Sequence, residues 1–168
     1  ATLLTGHMRG GLAQTSVVLS TLMGGVSGSA TADAAMEARL LGPDMIKSGY
    51  SKGFSANVLT FTSLITATIP PGVGLIIYGT TGSVSIGKLF SAGIFVGLYM
   101  MIVLMVSVAV IARMRGYKPV RQNRATWKEI GINLKETVWA VMFPVILLVG
   151  IRMGFFSPSE VGAFACFY

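Results

Sequence analysis

Two apolar stretches in this chain are broken by residues that a helix does not tolerate. The first breaks at Gly24-Gly25-Val26-Ser27-Gly28-Ser29-Ala30, the second at Thr68-Ile69-Pro70-Pro71-Gly72-Val73-Gly74. Both stretches are apolar enough to enter a bilayer. Lipid offers no hydrogen bonds, so open backbone at that depth must be buried in protein or line a cavity. Short hydrophobic segments interrupted by Gly or Pro are a sequence mark of solute sites in secondary transporters. The breaks point to an all-α membrane protein that moves a solute.

Composition agrees. The chain is 53% hydrophobic and 11% charged, with a mean hydropathy of +0.73, whereas a soluble domain is about 25% charged. The excess of apolar residues calls for lipid as a second apolar phase. The net charge of +7 is concentrated in connections between apolar runs. That is membrane topology rather than a phosphate-binding stripe, and it argues against nucleic acid as a partner. Cys166 stands alone, which excludes an internal disulfide and a Cys-based zinc site, and it reads as a small buried apolar residue. No Ser-His-Asp set, phosphate loop or metal quartet is present, so the chain reads as neither an enzyme nor the holder of an organic cofactor. It opens without Met and closes inside a starting helix, as an internal piece of a longer protein would.

The pattern lays out a multi-pass bundle. Residues 1–41 form a re-entrant helical hairpin, with arms at 11–25 and 30–41 and the Gly/Ser break as its tip. The first arm spans roughly 22 Å as a helix, too short for a core of about 30 Å. Residues 42–52 read as a polar loop. Residues 53–81 make a transmembrane helix broken at Pro70 and Pro71, which remove backbone donors and jam the preceding turn. Residues 89–112 carry no charge and form the clearest transmembrane helix. Residues 113–136 hold a basic loop, with Arg113, Arg115, Lys118, Arg121, Arg124 and Lys128, and an interfacial helix presenting Trp127, Ile130 and Leu134. Residues 137–154 form another span, and 157–168 begin a further helix at the capping box Ser157-Pro158-Ser159-Glu160. The basic loop sets the orientation: it is expected on the cytoplasmic side, which puts both hairpin ends there too.

Each motif carries two readings. The tip offers carbonyls and hydroxyls to a hard cation, and the start of the second arm offers N–H groups to an anion. Alternatively its glycines only permit a tight turn, with Ser29 as an N-cap. Asp33 is either an intramembrane ion or proton ligand or a partner for the first-turn N–H groups. Glu37 and Arg39 read as interfacial. Thr66-Ala67-Thr68-Ile69-Pro70-Pro71-Gly72 follows the logic of the tip and exceeds a simple proline kink. Gly28, Asp33, Thr68 and Gly72 are the candidate substrate-binding residues. Thr60 and Thr62 suit interhelical or back-bonding roles. Gly93-x-x-x-Gly97 and Gly150-x-x-x-Gly154 imply close helix packing, and His7 reads as interfacial.

The runs Gly6-His7-Met8-Arg9-Gly10-Gly11-Leu12-Ala13 and Gly25-Val26-Ser27-Gly28-Ser29-Ala30-Thr31-Ala32-Asp33-Ala34 resemble the large permease subunit of TRAP transporters, the DctM type. The likeness continues through Met45 to Tyr50, Ile69-Pro70-Pro71-Gly72 with Tyr78-Gly79, Ala112 to Tyr117, and Pro144 to Glu160. It implies an elevator-type, sodium-powered carrier in the bacterial inner membrane. The implied substrate is an organic acid such as a C4-dicarboxylate or sialic acid, delivered by a periplasmic binding protein. A small membrane subunit is the implied second partner. Matched to that pattern, Ser27 and Ser29 fall in one sodium site, with backbone carbonyls around Thr66, Ile69 and Pro71. Gly72 departs from it, where the family often has Ser, and so does Thr66-Ala67-Thr68, where Gly or Pro is common. Two alternatives stand beside this reading: another hairpin-containing anion carrier of the citrate or divalent-anion type, and a non-transporting membrane scaffold.

Overall fold

The computed structural model describes residues 10–117, together with Thr5, Met8, Val138, Met142, Ile146, Val149, Gly150, Met153 and Glu160. The described residues form helices and turns, without a strand: α1 (Gly11–Met23), α2 (Ala30–Leu40), α3 (Gly42–Lys47), α4 (Lys52–Thr68), α5 (Val73–Thr81) and α6 (Ile86–Met114). The expected interfacial helix, the span at 137–154 and the helix starting at 157 lie outside these residues or touch them only at isolated positions. So does most of the basic loop, of which Arg113 and Arg115 are described and exposed.

Local chemistry sets the boundaries. Ser29 caps α2 and Ser51 caps α4, each accepting a backbone N–H from its first turn, from Ala32 and Phe54. Ile69 is extended because it precedes Pro70, which ends α4. Gly72 then opens α5 from an extended conformation. The segment read as a polar loop at 42–52 instead contains α3. Pro43 sits in its first turn, Asp44 and Lys47 suit its two ends, and Met45 is buried beneath it.

α4 is the central element, with α1, α2 and α6 packed along it. The arms α1 and α2 touch each other sparsely, because α4 takes most of the contact of both. Ser16 meets Thr62 and Ser20 meets Thr66, both at a separation of 46 residues. A constant offset means that α1 and α4 run parallel and in register. α2 runs against them, since Glu37 reaches Ser16 and Thr62 while Asp33 reaches Thr66.

α6 is long and apolar enough to cross a membrane, and α4 with α5 passes the same test as one pair bent by 43°. Its surface points the same way. Phe95, Tyr99, Ile102 and Val106 of α6 are exposed, while Gln14, Thr15, Ser16 and Ser20 of α1 are buried. An apolar exterior over a partly polar interior suits lipid as the surrounding phase. At one end of the bundle Tyr50, Phe54 and Tyr117 stack with centroid separations of 4.3–6.0 Å, and Arg115 lies 5.4 Å over the Phe54 ring. This ties the start of α4 to the end of α6.

Candidate functional site at the two helix breaks

The breaks after α1 and α4 meet. A Cβ placed on Gly28 would stand 2.7 Å from the Pro71 carbonyl oxygen, 3.5 Å from Gly72 Cα and 3.6 Å from the Val73 nitrogen. Gly28 has φ of +59°, a left-handed conformation that glycine adopts without strain. The N-termini of α2 and α5 therefore lie side by side. Gly24 faces the same partner segment, with its Cβ position 2.6 Å from Ile69 Cβ.

α6 completes the junction. Gly97 leaves room for the Ile69 side chain, and the Thr68 carbonyl oxygen lies 2.8 Å from a Cβ placed on Gly93. The Gly93-x-x-x-Gly97 pair thus seats the broken end of α4 against α6. Ile69 is wedged between Gly24 on one side and Gly97 on the other. The Pro70–Pro71 peptide is cis.

Below the junction lie two layers of polar side chains. Nearer the breaks, the Thr66 hydroxyl stands 2.5 Å from Asp33 Oδ2 and 3.0 Å from the Ser20 carbonyl oxygen. A hydroxyl has one proton, and the shorter of the two separations assigns it to Asp33. The Ser20 carbonyl is bonded by the Gly24 N–H at 2.9 Å. Asp33 is buried, and among the described residues its Oδ1 has no hydrogen-bond partner. One helical turn deeper, Glu37 accepts from the hydroxyls of Ser16 and Ser20, and the Thr62 hydroxyl oxygen lies 3.3 Å from its Oε2.

These geometries accompany a sequence likeness that covers the whole chain. The model of the tripartite ATP-independent periplasmic transporter DctM component matches residues 1–168. The chain belongs to this family. It is 39% identical to the ectoine TRAP transporter large permease protein TeaC of Halomonas elongata, over 97% of this chain and 38% of that one. Identity is 39% to the 2,3-diketo-L-gulonate TRAP transporter large permease protein YiaN of Escherichia coli, over 98% and 38%. It is 33% to the C4-dicarboxylate TRAP transporter large permease protein DctM of Pseudomonas aeruginosa, over 97% and 38%. The chain spans less than half the length of these relatives. They are named as transporter permeases, not enzymes, and for different solutes. The family match sets aside the citrate and divalent-anion carriers as an alternative.

Within this DctM-family chain the residues singled out from sequence divide into groups. Gly28, Pro71 and Gly72 come together at the junction. Asp33 and Thr66 are hydrogen-bonded in the layer below. Ser27 and Ser29 are half-buried at the turn and bond each other: the Ser27 hydroxyl donates to the Ser29 carbonyl at 3.4 Å and accepts the Ser29 N–H at 3.3 Å. Thr68 turns toward α6, its hydroxyl donating to the Leu64 carbonyl at 2.9 Å and lying 3.7 Å from Met100 Sδ. Ile69 points its side chain into the packing wedge, which leaves its backbone for the junction. The departure at Gly72 has a steric reason, since a Cβ there would stand 2.6 Å from the Ala67 carbonyl oxygen.

Glu37 corrects the sequence reading. It was expected at the interface, but it is wholly buried, while Arg39 is exposed. The sequence signal was available. Ser16/Ser20, Asp33/Glu37 and Thr62/Thr66 are three polar pairs at i, i+4 on short helices, and each pair shares one helix face. Their common spacing marks one polar seam through three helices.

Proposed function

We propose that this chain is the part of a sodium-coupled permease that holds one ion-and-substrate junction. The whole transporter imports an organic acid across the bacterial inner membrane by an elevator motion. α1 and α2 act as a re-entrant hairpin entering from the cytoplasmic side, and α4 with α5 as a broken multi-pass span. A periplasmic binding protein delivers the solute, and a small membrane subunit accompanies the permease. The observation that carries this reading is the meeting of Gly28 with Pro71, which brings two stretches of non-helical backbone to one place.

The chemistry supports two neighbouring tasks. Carbonyls at the ends of broken helices, with the Ser27 and Ser29 hydroxyls, suit a hard cation. The carbonyls of Thr66, Ile69 and Pro71 remain the backbone candidates for sodium. The unpaired, buried Oδ1 of Asp33 belongs with the cation rather than with an anionic substrate, since two negative groups repel. The adjoining starts of α2 and α5, at Gly28 and Gly72, suit the carboxylate of the substrate through their N–H groups. Thr68 remains a candidate for the anion side, its hydroxyl bonded to the Leu64 carbonyl. Relatives named for C4-dicarboxylates, sialic acid, ectoine and 2,3-diketo-L-gulonate share this segment, so the organic acid is selected by other residues of the permease or by the binding protein.

Uptake by the complete reconstituted transporter across a sodium titration tests the reading. Ser27→Ala and Ser29→Ala are expected to raise the sodium concentration for half-maximal uptake, with less loss when sodium saturates. A scaffold whose breaks are merely packed predicts unchanged sodium dependence with a capping loss of about 0.5–2 kcal/mol.

A further inference from the structure

We propose that Glu37 is a positioning residue for that junction, acting on it through Ser20 and Thr66; the inference rests on the sodium-coupled reading. Glu37 is wholly buried one turn below Asp33. Its Oε1 accepts the Ser20 hydroxyl at 2.6 Å and its Oε2 accepts that of Ser16, while the Thr62 hydroxyl oxygen lies 3.3 Å from Oε2 and 2.7 Å from the Ser16 oxygen, its one proton shared between that contact and the Val58 carbonyl at 2.9 Å. One carboxyl group thereby joins α1, α2 and α4.

The hub is closed by protons. Ser16 and Thr62 hydroxyl oxygens lie 2.7 Å apart, an O–H···O separation like that between Ser20 and Glu37. Oxygens this close bond one another and leave no room for a cation among them. Among the described residues, no basic side chain faces the hub from the elements packed against it. α1 contains no Lys or Arg, Arg39 of α2 and Lys52 of α4 are exposed, and Asp33 is the titratable neighbour on its own helix. Among the described residues, the carboxyl group is held by hydroxyls alone.

Its position makes it more than a fastening. α1 and α2 touch each other sparsely, so the hub fixes how the second arm sits against the first. Ser20 gives its hydroxyl to Glu37, while its carbonyl takes the Gly24 N–H and lies 3.0 Å from the Thr66 hydroxyl. Thr66 in turn bonds Asp33, the residue with the unpaired oxygen. A directional hub specifies register, whereas an apolar one of equal volume packs as well without fixing it. Groups one shell behind a metal ligand set its orientation and affinity in this way.

The test is uptake by the complete reconstituted transporter, titrated with sodium, for wild type, Glu37→Ala, Glu37→Gln and Ser20→Ala. Glu37→Ala is expected to raise the half-saturating sodium concentration about tenfold, as loss of a group supporting a metal ligand does. Glu37→Gln is expected to keep the wild-type sodium dependence, because the amide still accepts one hydroxyl and donates to another that rotates. If Glu37→Ala does not accumulate in the membrane, Ser20→Ala decides, with an expected shift in the same direction. Variants that lower only protein yield, with sodium dependence unmoved in a sodium-dependent wild type, overturn the inference and leave the proposed function standing. Sodium-independent uptake by the wild type overturns the proposed function and the inference with it.

Discussion

Gly28 and Pro71 touch across two helix breaks that lie more than forty residues apart in sequence, close enough that a single added carbon on Gly28 would sit 2.7 Å from the Pro71 carbonyl oxygen. Gly28→Ala therefore meets two penalties, the left-handed backbone and the carbonyl. A stability loss of about 1–2 kcal/mol is expected from the conformation alone. Transport is expected to fall further than stability, because the carbonyl must move. Gly74→Ala is the control, since among the described residues nothing lies within 4 Å of its Cβ position. Thermal unfolding in detergent beside uptake in vesicles checks both; equal behaviour of the two variants would refute the contact.

The Ile69 wedge predicts non-additivity. Gly97→Ala pushes on Ile69, and overpacking of this kind costs about 1–3 kcal/mol. Ile69→Ala also destabilises by leaving space beside Gly24 and Gly97. The double variant is expected to be more stable than the sum implies, by about 0.5–3 kcal/mol, since the added methyl fills part of the vacated volume. A double-mutant cycle on thermal unfolding measures this, and strict additivity would show that the two residues do not share the space.

The two breaks were legible because Gly and Pro act locally: Pro70 forces Ile69 to extend whatever surrounds it. Helix α6 was legible because the uncharged apolar run at 89–112 has few alternatives; the helix extends it at both ends, past Lys88 and Arg113. What stayed hidden was tertiary. Glu37 lies near the polar end of a short arm, and composition alone puts such a residue at the interface. Its burial follows from α4 running parallel to α1 with a constant offset, which brings Ser16 and Thr62 to the same depth. Helix α3 was hidden because six residues are too few for a periodic pattern, leaving Pro43 and the end charges as its sole marks. The rotamer of Thr68, bonded to the Leu64 carbonyl at 2.9 Å with Met100 Sδ at 3.7 Å, is likewise a tertiary feature that the sequence does not specify.

The aromatic clamp between α4 and α6 predicts a graded series. Phe54→Ala removes contacts with Tyr50, Tyr117 and Arg115 together, and a loss of about 3–5 kcal/mol is expected for such a buried ring. Arg115→Ala removes an exposed cation over one ring and is expected to cost about 0.5–1 kcal/mol. Thermal unfolding of the purified permease ranks them, and a larger loss for Arg115 would mean that charge, not ring packing, joins the helices.

The basic connection after α6 predicts the side of the membrane on which the clamp lies. Six cations without an acid between residues 113 and 128 lead to the expectation that it is cytoplasmic. A cysteine introduced at Gln122 is expected to resist an impermeant thiol reagent in intact cells and to react after the membrane is opened. Labelling in intact cells would invert the proposed topology, including the side from which α1 and α2 enter.

Thr66 separates a hydroxyl that positions an acid from one that merely fills space. Its proton goes to Asp33 at 2.5 Å, and among the described residues Asp33 has no partner for its other oxygen. Thr66→Val keeps the shape and removes the proton, leaving a buried carboxylate with one hydrogen bond fewer at a cost of about 1–3 kcal/mol. Thr66→Ser restores the hydroxyl. If Asp33 serves a cation, the isolated carboxylate turns more freely, and Thr66→Val is expected to weaken sodium dependence while Thr66→Ser keeps it. Stability loss in Thr66→Val with an unchanged sodium titration would show that the bond holds helices together without shaping the junction. Rescue by Ser at the level of sodium half-saturation, measured in the same vesicles, would tie the hydroxyl itself to the ion.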